Sequence, residues 1–251
     1  MIDPQVALFL AASGLAAGFI DSIAGGGGLI TVPALLAVGL PPQIALGTNK
    51  LQSICGTAIA TYHYGRAGLF SWHRLRLALL ITALAATLGA LAVLLVPPGF
   101  LRQIIPWLLI AIAIYFWSQP QLGLSARTPK IAPPLFAWLA GSTLGFYDGF
   151  FGPGVGAFWM LACVLLAGLD LRSAVGHTKA MNLASNAGSL IVFLAAGQVR
   201  LDFAATMIVG QLLGAKLGSR LVIKNGTKFI RPIFLTVVIL LAARLLWPRS
   251  P

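Results

Sequence analysis

The chain has 251 residues, 59% of them hydrophobic and only 9% charged. Seventeen Lys and Arg face five acidic residues, all of them Asp, for a net charge of +12. A soluble domain carries about 25% charged residues, so this composition excludes an ordinary soluble globule, a disordered chain, a disulfide scaffold and a single-span anchored domain. It describes an integral membrane protein.

A helix needs about 20 mostly apolar residues to cross the hydrocarbon core. The first charge-free stretch, residues 4–20, ends at Asp21 and is followed by Gly25, Gly26, Gly27 and Gly28. A short apolar segment, 29–40, leads to Thr48-Asn49-Lys50, and 51–65 is again free of charge. Stretches 77–101 and 103–126 follow. The longest polar, proline-broken stretch, 118–134, reads as a linker. Beyond it come 131–147, closed by Asp148, then Gly152-Pro153-Gly154, the short segment 155–169, and His177-Thr178-Lys179. Residues 180–199 are charge-free, and 203–223 and 232–247 carry charge only toward one end. The stretches are continuous and rich in Leu and Ala, so they predict helices rather than the alternating strands of a barrel.

The excess of Lys and Arg would suggest nucleic acid in a soluble protein. In a membrane protein it reads as loops facing anionic headgroups, so the lipid bilayer is the expected partner and nucleic acid is not. The start of the chain lacks a basic region and reads as an uncleaved span. Cys55 and Cys163 read as small packing residues. His63, His73 and His177 show no metal-ligand spacing, and no nucleophile–base pair is recognisable. No metal, cofactor or enzymatic activity is expected.

The chain repeats itself. Gly14, Gly18, Phe19 and Asp21 recur as Gly141, Gly145, Phe146 and Asp148, each set followed by a glycine break. Gly47 to Lys50 corresponds to Gly176 to Lys179. Weaker matches join Leu88-Gly89-Ala90 to Leu213-Gly214-Ala215 and Pro106 to Pro232. The expected organisation is two transmembrane repeats, 1–120 and 131–251. The expected fold class is an all-α polytopic membrane protein with two homologous halves of four to five transmembrane segments and Gly-broken helices. Segments 29–40 and 155–169 decide whether the halves are parallel or inverted. If both cross, one face collects Arg66, Arg74, Arg76, Arg127, Lys130, Arg172, Arg220, Lys224, Lys228 and Arg231. The other face keeps Arg102, Arg200, Arg244 and Arg249. The positive-inside rule then favours an inverted five-plus-five arrangement with both termini outside. Residues 29–40 span only about 18 Å as a helix, so a re-entrant dip is the alternative.

Charges at membrane depth are functional candidates by default. Asp21 and Asp148 read as proton-coupling carboxylates, ion-pair partners or helix caps. Asp3, Asp170 and Asp202 fall near segment ends and read as caps or surface residues. A lysine in a turn at the midplane offers a point charge to an anion. Lys50 and Lys179 are therefore expected to bind substrate or to serve as a structural switch, with Asn49, Thr48, His177 and Thr178 as hydrogen-bonding neighbours; loop lysines that snorkel to the headgroups are the alternative. A Lys–Asp pair within each half would neutralise both charges. Gly25, Gly26, Gly27, Gly152 and Gly154 would expose backbone N–H groups at helix starts that attract anions; a tight re-entrant turn is the bland reading. Gln52, Ser53 and Thr57, and Asn182, Ser185, Asn186 and Ser189, lie at helical spacing as polar stripes that line a pathway or hold helices together. The stripes Gly14/Gly18, Gly141/Gly145 and Gly210/Gly214/Gly218 read as close helix packing, compatible with a homodimer as well as with contacts inside the chain. Paired repeats with broken helices are a transporter pattern. The alternatives are a non-transport membrane scaffold and a transporter of another small solute.

The run from Gly18 to Gly28 followed by Thr48-Asn49-Lys50 resembles the first half of the sulfite exporter TauE/SafE family. The run from Gly145 to Gly154 followed by His177-Thr178-Lys179 is similar to its second half. The resemblance covers nearly the whole chain, with the YfcA-like branch nearest. Three glycines usually follow the first Asp, and this chain has a fourth. The resemblance implies a secondary transporter of the bacterial inner membrane for small sulfur oxyanions and organosulfonates, without fixing the substrate.

Overall fold

The computed structural model describes residues 2–101, 103, 104, 107 and 128–226. Eight helices lie wholly among them: α1 (Pro4–Ala24), α2 (Gly28–Ala37), α3 (Pro42–Arg66), α4 (Trp72–Leu94), α5 (Pro133–Phe150), α6 (Val155–Leu165), α7 (Leu171–Ala195) and α8 (Leu201–Asn225). The chain is all-α among the described residues, as its apolar runs predict. Helices α1, α4 and α8 are long and apolar enough to cross a bilayer. Helices α3 and α7, 25 residues each, are as long but carry the polar stripes, so they sit inside the bundle. The outer surface is apolar instead, with Leu8, Leu80, Leu84, Leu88, Trp138, Val209 and Leu217 all more than half exposed. A polar interior under an apolar exterior suits lipid as the solvent.

Local chemistry sets the helix ends. Asp3 accepts the N–H groups of Gln5 (2.8 Å) and Val6 (3.3 Å) at the start of α1, and Asp170 accepts those of Arg172 (2.9 Å) and Ser173 (3.0 Å) at the start of α7. Both act as caps, and Asp202 pairs with Arg200 at 2.6 Å on the surface. Helices α2 and α6 have 10 and 11 residues, about 15–17 Å at 1.5 Å per residue, or roughly half a hydrocarbon core.

Glycines fix how the helices run. Gly14 lies on the backbone of Met207, Gly18 on that of Gln211, and Gly218 on Phe19 and Ser22, so α1 and α8 are parallel. Gly141 meets Ile81, Gly145 meets Thr82 and Gly149 meets Ala86, so α4 and α5 are parallel too. Gly89 sits against Phe146 as Gly214 sits against Phe19, an equivalent contact made in both cases across the two halves. The three glycine stripes are thus engaged within the chain. Helices α3 and α8 are parallel, through Gly56 on Gln211 and His63 on Ser219, whereas α3 and α7 are antiparallel, through Gly47 on Phe193 and Gly176 on Leu69. Hence α1 and α3 share a direction, and α2 with its flanking loops carries the chain back between them. Corresponding helices of the two halves run in opposite senses. Arg66, Arg74, Arg76, Lys130, Arg172, Arg220 and Lys224 fall at the end where α3 finishes, and Arg200 at the other. Expectations for Arg102, Arg127, Lys228, Arg231, Arg244, Arg249, Pro106, Pro232, the segment 232–247 and most of 103–126 lie outside the described residues.

Candidate functional site

The two glycine breaks meet at the centre of the bundle. Gly25 has φ +68° and touches the backbone of Gly156, and Gly28 lies on Pro153. Any side chain at Gly25 would collide with that backbone, so the close approach itself demands glycine. Tyrosines secure each break: Tyr64 donates to Ser22 O (2.6 Å) and Tyr147 to Pro153 O (2.8 Å).

Lys50 and Lys179 are not in turns, as the sequence suggested, but in the helices α3 and α7, with 1% and 0% of their side chains exposed. The helix continues through each lysine because nothing in 42–66 or 171–195 breaks it. Each lysine finds its aspartate in the other half, which corrects the expectation of pairs within halves. Lys50 Nζ lies 2.5 Å from Asp148 Oδ1 and also donates to the Asp148 carbonyl (2.5 Å). Lys179 Nζ lies 2.8 Å from Asp21 Oδ2. The crossing follows from helix packing: α5, bearing Asp148, packs on α4 and α1, bearing Asp21, packs on α8. Neither aspartate-bearing helix packs mainly against its own half.

Each pair is reinforced differently. Ser185 donates to Asp148 Oδ2. Gly26 and Gly27 donate their N–H groups to Asp21 Oδ1, at 3.1 and 3.2 Å. These two groups therefore hold an internal carboxylate and are not free for a ligand, contrary to the expectation from the glycine run. Gly152, at φ +93°, has no room for a side chain, because a Cβ there would stand 3.0 Å from Lys50 Nζ and 3.1 Å from Asp148 Oδ1.

Between the pairs lies a small polar cavity of ≈ 30 Å³, space for a water or two. Asp21, Gly26, Asn49, Lys50, Asp148, Gly152, Gly154 and Asn182 line it, so eight of the expected residues meet there. Ser53, Thr57 and Asn186 line it as well. They were recognisable from their helical spacing after the lysines but not singled out as ligands. The Asn182 side-chain oxygen is buried without a hydrogen-bond partner. Asn49 Oδ1 accepts from Thr31 (2.5 Å) and Gln52 (2.9 Å), which orients its amide. The first turns of α2 and α6 reach the cavity through Gly28, Val155 and Gly156, and neither helix has a side-chain cap.

The other expected residues stand away from the cavity wall. Thr48 Oγ1 accepts from the Arg200 N–H (3.0 Å), tying α3 to the loop before α8. His177 Nδ1 is bound to Ser173 O (2.8 Å) and its ring faces Phe70. Thr178 is fully buried beside Cys163. Gly25 and Gly27 shape the break, and Lys179 lies behind Asp21. Lys50 and Lys179 share a helix position with the cavity residues, whereas Thr48, His177 and Thr178 fall on other faces of the same helices.

The family model described as "Sulfite exporter TauE/SafE" matches residues 10–245. The chain is 44% identical over 247 residues to "Probable membrane transporter protein YfcA" of Escherichia coli (strain K12), covering 98% of this chain and 92% of that protein. It is 46% identical over 238 residues to "Probable membrane transporter protein ORF9" of Sinorhizobium sp, covering 95% and 91%. A "Probable membrane transporter protein" of Haemophilus influenzae is 40% identical over 237 residues, covering 94% and 93%. With a buried polar centre inside an apolar bundle and these relatives over nearly its whole length, the chain belongs to the TauE/SafE family of membrane transporters.

Proposed function

We propose that the chain is a secondary transporter of small anions, sulfur oxyanions or organosulfonates, working by alternating access in the bacterial inner membrane. The observation that carries this reading is the pair of cross-half Lys–Asp bridges bracketing one polar cavity. Each bridge fastens the first half to the second. Opening one while the other holds exposes the cavity on a single side, which is the requirement for alternating access. The opposite senses of corresponding helices support an inverted arrangement of repeats 1–120 and 131–251, the geometry in which rocking exchanges two equivalent states. The arginine-rich end, where α3 finishes, is the cytoplasmic one by the positive-inside rule.

Anion preference rests on three features. Two helix starts without side-chain caps reach the cavity, and helix N-termini favour negative charge. Lys50 lines the wall, and Asn49, Ser53, Thr57, Asn182 and Asn186 supply neutral polar groups. The cavity's small volume favours the smallest oxyanions over bulkier sulfonates. The name of the family model, a sulfite exporter, points to the same class.

The test is flux in sealed proteoliposomes. Sulfite and small sulfonates should cross in the wild type, and Lys50→Ala and Lys179→Ala should each lose that flux. Undiminished flux in both variants removes the lysines from the site. A wild type that moves none of these anions supports a scaffold or another solute instead.

A further inference from the structure

The two ion pairs are equivalent by position but not by environment. Asp148 also lines the cavity but is the more enclosed: its side chain is 3% exposed, Ser185 binds one oxygen and Lys50 holds both the other oxygen and the main-chain carbonyl. Asp21 is the more open of the two, 14% exposed. Its two oxygens are divided in task. Oδ1 takes the N–H groups of Gly26 and Gly27, while Oδ2 is held by Lys179 alone. A proton arriving on Oδ2 releases the lysine and leaves the carboxyl anchored to the glycine break through Oδ1.

Charge bookkeeping then couples that proton to the ligand. The site contains two lysines and two aspartates and is neutral as it stands. The groups facing Asp21 are few: Lys179 from α7, Tyr64 from α3 with its hydroxyl bound to Ser22, and Lys50 with Asp148 across the cavity. Helix α8 turns Gln211, Gly214 and Gly218 toward α1, α2 has no titratable residue, and α6 has only Cys163, beside Thr178. Protonating Asp21 therefore leaves one unbalanced positive charge, on the fully buried Lys179. An uncompensated charge in such surroundings is strongly unfavourable, and a monovalent anion entering the cavity removes the imbalance. A bare anion entering without the proton would create one.

Resting on the anion reading above, we propose that the site takes up one proton with each monovalent anion, that Asp21 Oδ2 is the proton-binding atom, and that the loaded site is electrically neutral. The bond changes balance: the proton comes from solvent, an O–H bond forms on Asp21, and the anion in the cavity balances the charge of the Lys179 ammonium, which stays behind the neutral carboxyl. Dianions leave the site with surplus negative charge and are disfavoured.

The experiment is titration calorimetry of the purified full chain with methanesulfonate, a strong-acid anion that brings no proton of its own. Titration in two buffers of different ionisation enthalpy gives the protons absorbed per anion bound. We expect about one proton in the wild type and none in Asp21→Asn, whose site already has the protonated charge. Asp21→Asn should also lose the tightening of binding that the wild type shows as pH falls. Binding without proton uptake in the wild type overturns the proposal and leaves the anion reading intact. Uptake that persists in Asp21→Asn overturns the assignment to Asp21. If neither methanesulfonate nor any other small sulfur anion binds or crosses, the anion reading fails and the proposal falls with it. The wild-type measurement is decisive whether or not a variant folds.

Discussion

Replacing Lys50 by methionine keeps most of the side chain's volume and removes its charge from a site with 1% exposure. Asp148 is then left 3% exposed, with Ser185 as its remaining side-chain partner. Breaking a buried pair from one side costs about 3–5 kcal/mol, because the orphaned charge keeps its desolvation penalty. At about 2–4 °C per kcal/mol for a chain of this size, Lys50→Met should melt about 6–20 °C below the wild type. The double variant Lys50→Met/Asp148→Asn removes the orphan and should recover most of that loss. Arg200→Gln is the internal control. Its pair with Asp202 is equally close, at 2.6 Å, but 50% and 45% exposed, and exposed pairs contribute about 0–1 kcal/mol. The assay is thermal denaturation of the three variants in one detergent, followed by loss of the monodisperse peak. If Lys50→Met melts no lower than Arg200→Gln, or if the double variant is as unstable as the single one, the pair is not the buried clamp described above.

Three further outcomes follow from the packing and the caps. Gly149→Ala would drive a methyl into the Ala86 backbone and should destabilise by about 1–3 kcal/mol or more. Gly68→Ala meets open space at φ +71°, so it should cost only the backbone strain of about 1 kcal/mol; equal melting losses would refute the α4–α5 contact. Removing the α7 cap with Asp170→Ala should cost about 1 kcal/mol at neutral pH. Partial burial would raise the Asp170 carboxyl, but the N–H and hydroxyl of Ser173 and the N–H of Arg172 outweigh it and hold it below the usual range. The cap therefore acts fully above the unfolded Asp range and is lost as pH falls through the lowered folded value, so the melting difference should shrink in acid and not grow. Single cysteines at Gly68 and Gly197, placed in a Cys55→Ala/Cys163→Ala background, should be labelled by an impermeant thiol reagent from opposite faces of the membrane. Labelling of both from one face would refute the helix directions.

The sequence by itself determined the solvent, the secondary structure and the suspects. Scarce charge and long apolar runs dictate helices in lipid, because an unpaired backbone cannot survive there. The same scarcity made Asp21, Asp148, Lys50 and Lys179 conspicuous, since matched charges in a chain this apolar are costly to keep. Helical spacing after each lysine marked the stripes that supply Ser53, Thr57, Asn182 and Asn186 to the cavity.

Tertiary structure decided the partners. Within one half, sequence nearness made Asp21 with Lys50 the natural pair. The chain instead packs α1 on α8 and α5 on α4, and this exchange of neighbours sends each aspartate to the other half's lysine. No local pattern encodes such a pairing, because it depends on which glycine-lined faces can approach to backbone contact. The same packing set the glycine N–H groups of the first break to work on Asp21 and turned Thr48, His177 and Thr178 away from the cavity. It also left Asp21 more exposed than Asp148, two residues that the repeats present as equals and that only their surroundings distinguish.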